Sequence, residues 1–317
     1  CSRPRRSSNS LPLTSAHILK PLAMVWQPEP LPFTSNSLPK SPLPSNDEIR
    51  ACTNILLDRI YKVVAINDEI VVKFGGGVKE YEGQVLLFLE RHLPTIPAPR
   101  LYAMYKDPET FETFLVMQRI PGEPLDAIWP SLTEDEKDDI TDKLRQIFDN
   151  LRQVPCPKPD FYGGLDGGCL HHYMFRNQRG GLPSFLGPYI GEANFVAGIV
   201  GNYRVYIERN QRPDYKVRYY EEYLPSLLKG HRPTLTHGDV QQKNIMVAEN
   251  SSGRNAQGGR SFDVVMLDWA DAGWYPQYWE FFVASSPIAF MYWDTDWCLR
   301  IQQFLEVWPA EQAIMRM

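Results

Sequence analysis

The stretch Thr236-His237-Gly238-Asp239-Val240-Gln241-Gln242-Lys243-Asn244 constrains this chain most, because Asp268 answers it at the end of the apolar run Val264-Val265-Met266-Leu267. An Asp is followed by an Asn at the fifth position beyond it, then by the strand-like Ile245-Met246-Val247, then by a second Asp at a strand end. Kinase-type phosphoryl transfer needs such parts: a carboxylate facing an acceptor hydroxyl, and an amide with a second carboxylate to hold Mg²⁺ on the phosphates of ATP. Magnesium is a hard ion that prefers oxygen ligands, so Asn and Asp suit it where Cys or His would not. The motif is uncommon by chance, and the strand-borne second Asp makes it specific.

Composition narrows the setting. A length of 317 residues permits one large or two modest domains, and 43% apolar content is enough for a real core. A net charge of −5 gives no general basic field, so nucleic acid is not an expected partner. No apolar run reaches the roughly 18 residues of a membrane span. Cys1, Cys52, Cys156, Cys169 and Cys298 are scattered, which fits reduced thiols in a cytoplasmic protein and argues against a disulfide frame or a zinc site. Residues 1–46 hold nine of the 27 prolines and read as a disordered, extended leader. Its basic, Ser-rich start has the composition of a mitochondrial address, although prolines spoil the amphipathic helix such an address needs.

Order is expected from Ser45-Asn46-Asp47-Glu48, a capping-box pattern opening a short helix through Leu57. Two strands then flank an Asn67-Asp68 turn, and the second ends at Lys73, placed to steady nucleotide phosphates and pair with a helix glutamate. The next helix, apolar at Val78, Val85, Leu86 and Leu89, offers Glu80 and Glu82. Gly75-Gly76-Gly77 follow the lysine instead of preceding it, so they read as a turn; backbone amides between Tyr61 and Asn67 are left to meet phosphates. A second capping box at Thr133–Glu136 opens a scaffold helix with apolar residues at 140, 144, 147, 148 and 151. Helices are expected from Glu192 to Tyr206 and from Tyr215 to Leu228, and 249–262 as an exposed, mobile hairpin loop. His171-His172 lack a third ligand at a metal-binding spacing. Six acids against two arginines after Asp268 would attract a cationic ligand.

"THGDVQQKNIMV" and "VVMLDWADAGWYPQYWE" resemble the aminoglycoside phosphotransferase superfamily, most closely its fungal branch, with "YGGLDGG" at 162–168 and "GPY" at 187–189 as further landmarks. The resemblance runs from about Ile55 to the end. It implies an α+β, protein-kinase-like fold of two lobes: an antiparallel N-lobe sheet with one main helix and a hinge (47–120), then a mostly helical C-lobe (121–317) with the catalytic loop and acceptor site. It selects Glu82 over Glu80 as the partner of Lys73, and Gln118, Arg119 and Ile120 as the hinge that meets the base. It makes Asp239 the catalytic base, Asn244 and Asp268 the metal ligands, and His237 a residue that holds the loop. Lys243 stays outside the catalytic set, since a solvated loop lysine looks the same. The cofactors implied are ATP, or GTP, and Mg²⁺; the partner is a small-molecule hydroxyl acceptor, and the protein is expected to be monomeric. Trp269 stands where protein kinases have Phe-Gly, and no Ala-Pro-Glu follows, which turns the reading away from protein substrates. The alternative is a pseudokinase that binds a nucleotide or a partner without turnover, marked by loss of Lys73, Asp239, Asn244 or Asp268; all four are present.

Overall fold

The computed structural model describes residues 25–175, 186–285 and 296–315. The basic start of the chain, and Asp294 and Arg316 of the acidic end, lie outside these residues.

The N-terminal lobe is an antiparallel sheet built from β1 (Phe33–Thr34), β2 (Ile55–Asp58), β3 (Lys62–Ala65), β4 (Ile70–Gly75), β5 (Leu101–Lys106) and β6 (Thr113–Gln118), in the order β1-β5-β6-β4-β3-β2. The central strand β6 is an unbroken apolar run because both its faces are covered. Leu115 and Met117 face helix α2 (Glu80–His92), while Phe114 and Val116 join Val72, Phe74 and Ile49 on the other side. Ile49 belongs to α1 (Asn46–Ala51), whose capping box is formed as expected between Ser45 and Glu48. That helix stops at Ala51 and not at Leu57: Ile55 and Leu57 are drawn into the sheet edge, paired with Val64 and Val63. The Asn67 turn forms, its side-chain oxygen accepting the N–H groups of Glu69 and Ile70.

Residues 25–46 correct the compositional reading. They are extended, as proline dictates, but packed and not disordered. Phe33 and Thr34 pair with Met104 and Ala103 on the sheet edge. Trp26, only 7% exposed, lies edge-on to Phe88 and donates to Gln84 Oε1, which also accepts the Glu29 N–H. Two aromatic anchors outweigh a proline-rich composition.

The chain crosses to the second lobe through β7 (Glu123–Pro124), α3 (Leu125–Ile128) and α4 (Glu134–Arg152). Helix α4 opens on the Thr133–Glu136 capping box and buries Ile140, Leu144, Ile147, Phe148 and Leu151, the face its spacing predicts. After β8 (Phe161–Tyr162) and β9 (Tyr189–Ile190) come α5 (Glu192–Arg209) and α6 (Tyr215–Leu227), close to the bounds read from sequence. Strands β10 (Pro233–Thr236), β11 (Ile245–Arg254), β12 (Arg260–Met266) and β13 (Gly273–Pro276) carry the motif residues, followed by α7 (Trp279–Ala284), α8 (Trp297–Phe304) and α9 (Pro309–Met315). Strand β11 pairs with β12 on one side and with β7 on the other, so the crossover segment docks directly onto the motif hairpin. The expected mobile loop at 249–262 is largely strand, and Arg260 ties it to Glu136 of α4 at 2.6 and 3.0 Å. Polar composition there reflects an edge hairpin held by charge pairing instead of an apolar face. Cys52, Cys156, Cys169 and Cys298 are free thiols, and among the described residues no helix is long and apolar enough to cross a membrane.

Replacing Trp26 by Ala should cost about 3 kcal/mol of unfolding free energy, the range for truncating a buried aromatic, as measured by urea denaturation. A change within about 0.5 kcal/mol, typical of surface sites, would mean the segment is not part of the core.

Candidate active site

Three elements distant in sequence meet at Lys73. Strand β4 is buried on both faces and delivers the lysine at 7% exposure. Its ammonium donates to Glu82 Oε2 at 2.6 Å and to Asp268 Oδ1 at 2.9 Å. Glu82 lies on the inner face of α2, whereas Glu80, one step off that face, pairs with Lys106 near the surface. Burial acts to lower the lysine's pKa, but the two carboxylates reverse this and hold it above the usual value. Burial likewise opposes the charge on Asp268, and the Lys73 ammonium outweighs it, keeping that carboxyl below the usual range.

Helix α2 is fixed from both lobes. The Tyr81 hydroxyl donates to Ala272 O at 2.8 Å and accepts the Leu165 N–H at 2.9 Å. Its place in the active site therefore depends on C-lobe contacts that the sequence pattern of the helix does not announce.

The catalytic-loop stretch is folded by its own residues. The His237 Nε2–H donates to Leu267 O at 2.9 Å, and its Nδ1 accepts the Asp239 N–H at 3.1 Å, which fixes a neutral ring with the proton on Nε2. His237 is fully buried and thus links the loop to the strand end before Asp268. Gly238 has φ +86°, and a Cβ there would lie 2.5 Å from Asp271 O, so only glycine fits between His237 and Asp239. Asp239 Oδ2 accepts from Asn244 Nδ2 at 2.8 Å, and Gln241 Nε2 donates to Oδ1. Asn244 thus turns its amide nitrogen inward, and Leu267 N–H donates to Asn244 O at 2.8 Å, holding the two motif segments side by side. Asp268 itself adopts a left-handed backbone (φ 59°, ψ 62°), a conformation that Asp tolerates and that is common where a side chain must be re-aimed.

Glu280 was read only as one of the C-terminal acids. It is 3% exposed on α7, and its two oxygens accept the N–H groups of His237 at 2.7 Å and of Gly238 at 3.0 Å. Burial pushes its pKa up, opposed by the peptide N–H groups of Gly238 and His237 that it accepts. The signal was present in the sequence as an acid inside the aromatic run Trp274–Phe282. Two further acids of that end are also engaged: Asp296 with Lys137 and Trp129, Glu311 with His231.

At the other side of Lys73, the β2–β3 hairpin tip at 59–61 lays the Tyr61 ring 4.6 Å from the ammonium. Within the run Tyr61 to Asn67 expected to offer amides, residues 62–65 are spent in the ladder with β4 and the N–H groups of Ile66 and Asn67 donate to Ile70 O. The glycines after Lys73 underlie the hairpin tip: a Cβ on Gly77 would lie 2.7 Å from Ile60 Cγ2. Of the three residues expected at the hinge, Gln118 and Arg119 already donate their N–H groups to Arg100 O and Glu69 O. His171 stacks on Tyr81 at 3.8 Å between centroids and His172 is buried beside Trp279 at 5.3 Å, so both serve packing.

The model of the phosphotransferase enzyme family matches residues 59–313, and the chain belongs to that family. A thermostable mutant of aminoglycoside phosphotransferase APH(4)-Ia in its apo form is 13% identical, with a TM-score of 0.50 over 83% of this chain and 79% of that one. A ternary complex of such a mutant with ADP and hygromycin B gives 12% identity and a TM-score of 0.50 over 81% and 77%. At such identities the likeness carries the fold alone: the two-lobed, kinase-like fold of aminoglycoside phosphotransferases. No match was found among curated protein sequences.

Glu280→Gln replaces one of two paired acceptors by a donor facing a peptide N–H. It should lower unfolding free energy by about 1–3 kcal/mol and slow acceptor-independent nucleotide hydrolysis by at least about tenfold, the factor of a 1.4 kcal/mol loss. Unchanged hydrolysis with unchanged stability would remove Glu280 from the support of the loop.

Proposed function

We propose that this chain transfers the γ-phosphoryl group of MgATP to a hydroxyl of a small molecule. The observation that carries the reading is the meeting of Lys73, Glu82 and Asp268 beside an Asp239–Asn244 pair at the junction of two lobes. The donor set fits the cofactor. Asn244 spends its amide nitrogen on Asp239 and keeps its oxygen, and Asp268 uses one carboxylate oxygen for Lys73. Among the described residues no group of three His, Cys, Asp or Glu side chains gathers as a metal cage. Magnesium does not ask for one, since it takes one or two protein oxygens and completes its shell from phosphates and water. When bound, MgATP supplies the phosphoryl group and the cation that spreads its developing charge.

The chain's own residues do the rest. Lys73, held charged by its two carboxylates, positions the phosphates; Glu82 keeps the ammonium from collapsing onto the metal ligand alone. Ile120 reads the base through its backbone, an interaction ATP and GTP can each satisfy. Asp239, steadied by Gln241 and Asn244, would hold the acceptor hydroxyl and take its proton as the oxygen bonds to the γ-phosphorus and the bond from that phosphorus to the departing ADP oxygen breaks. A positioned base of this kind contributes more by orientation than by basicity, because the transition state is loose.

Two features support a small acceptor over a protein. After Asp268 the chain makes one turn at Trp269–Asp271 and enters β13 at Gly273, with no interval for an activation segment. The structural neighbour solved with hygromycin B takes a small-molecule ligand on the same fold. The pseudokinase alternative would need one of the four motif residues displaced, and all four lie in the cluster.

Asp239→Asn should reduce phosphoryl transfer at least about 100-fold, the weight of a general base, while nucleotide affinity stays within about twofold. Transfer to any accepted hydroxyl compound at the wild-type rate in this variant would reject the assigned role.

A further inference from the structure

Residues 25–34 run along helix α2 on the side turned away from Lys73. The α2 residues that meet them, Gln84, Phe88 and Arg91, recur at the spacing of one helical stripe. Glu82 lies elsewhere on the helix. Two residues before Gln84, at about 3.6 residues per turn, it stands roughly 160° around the axis, where it meets Lys73. The helix is therefore held between two sets of contacts, the ion pair on one side and this segment on the other.

The contacts with the segment are specific. Gln84 is 6% exposed, and its whole amide is spent there: Oε1 accepts the Trp26 indole N–H at 3.2 Å and the Glu29 N–H at 2.8 Å, while Nε2 donates to Glu29 O at 2.9 Å. A buried amide satisfied in this way fixes its partners in position as well as in distance. Arg91 pairs with Glu29 and lies 5.5 Å from the centroid of the Trp26 ring. That ring is also edge-on to His92, with centroids 5.7 Å apart.

The start of the segment is tied to the second lobe. The Trp26 N–H donates to Leu165 O at 3.1 Å, and the N–H of the same Leu165 donates to the Tyr81 hydroxyl of α2 at 2.9 Å. Val25 packs on the turn 164–168, which is closed by the Gly164 N–H donating to Gly168 O at 2.9 Å and the Gly167 N–H donating to Gly164 O at 3.0 Å. A Cβ on Gly167 would lie 3.1 Å from Val25 Cγ1, at a φ of +79° that already favours glycine. From there the chain crosses α2 and joins the sheet edge, where Phe33 and Thr34 pair with β5.

We infer that residues 25–34 are a strap that fastens α2 to the C-lobe turn 164–168, and that Gln84 and Trp26 are positioning residues for the Lys73–Glu82 pair. They act through the helix that carries Glu82. The inference rests on the phosphotransferase reading, in which the place of that pair decides where the phosphates lie.

The test uses the full chain. Gln84→Met keeps the length of the side chain and removes its three hydrogen bonds. Trp26→Phe keeps a ring, removes the indole donor, and takes the first variant's place should that fold poorly. Ile49→Val, which loosens the core on the other face of the sheet, is the control. Amide hydrogen exchange and the steady-state kinetics of acceptor-independent MgATP hydrolysis are read for each. In the strap variant, exchange across Glu80–His92 should be at least about tenfold faster while β4 and β6 stay within about twofold. Its kcat should fall at least about fivefold with KM within about twofold, whereas the control alters neither α2 exchange nor kcat. Unchanged α2 exchange, exchange raised equally in β4 and β6, a wild-type kcat despite a loosened α2, or an equal loss of kcat in Ile49→Val would overturn the inference. A wild type that neither binds nor hydrolyses MgATP would instead overturn the phosphotransferase reading, while the exchange comparison would still decide whether the strap holds α2.

Discussion

One buried ammonium joins the two lobes. Lys73 is delivered by the N-lobe sheet, Glu82 by the helix packed beneath that sheet, and Asp268 by the C-lobe strand end. Burying such charges is costly, and the arrangement persists only because each is paired. Removing Lys73 would leave two carboxylates unpaired in a poorly solvated place, a penalty of roughly 3–5 kcal/mol. The consequence is geometric more than energetic. Any displacement of α2 or of the Asp268 turn separates charges, so the distances among Lys73, Glu82 and Asp268 are held by electrostatics as well as by packing.

Around this centre, backbone groups are fixed by side chains buried elsewhere. Glu280 holds the peptide N–H groups of His237 and Gly238, His237 reaches Leu267, and Leu267 donates to Asn244. The series connects α7 to the turn before Asp268 and closes on the amide that faces Asp239. Each link is short and most are shielded from water, where hydrogen bonds are stronger and unpaired groups more expensive. The loop is thereby held in place by the chain's own buried contacts.

What was legible in the sequence follows from how local its cause is. Capping boxes at Ser45 and Thr133, the Asn67 turn and the apolar face of α4 depend on neighbours a few residues away, and they formed as read. The proposed site residues Lys73, Asp239, Asn244 and Asp268 could be singled out in the sequence because a phosphoryl-transfer motif restricts residue type and spacing together. Glu280 was not, since an acid becomes a buried anchor only through the peptide groups folded against it. The 25–46 segment was misread because proline content reports the backbone state, while two aromatic anchors decide whether that backbone is packed. Residues 249–262 misled in the same way: their polarity belongs to an edge hairpin docked by Arg260 on Glu136. The end of α1 and the length of β2 were decided by pairing with β3, a tertiary preference that overrode the local helix pattern.

The most direct measurement is nucleotide binding by thermal shift, with ATP and with GTP, in the presence and absence of Mg²⁺, on the wild type and on Asp268→Ala. A site built around Asp268 and Asn244 predicts a stabilisation that requires magnesium and disappears in the variant. No shift with either nucleotide at millimolar concentration, or a shift indifferent to both magnesium and Asp268, would contradict the account.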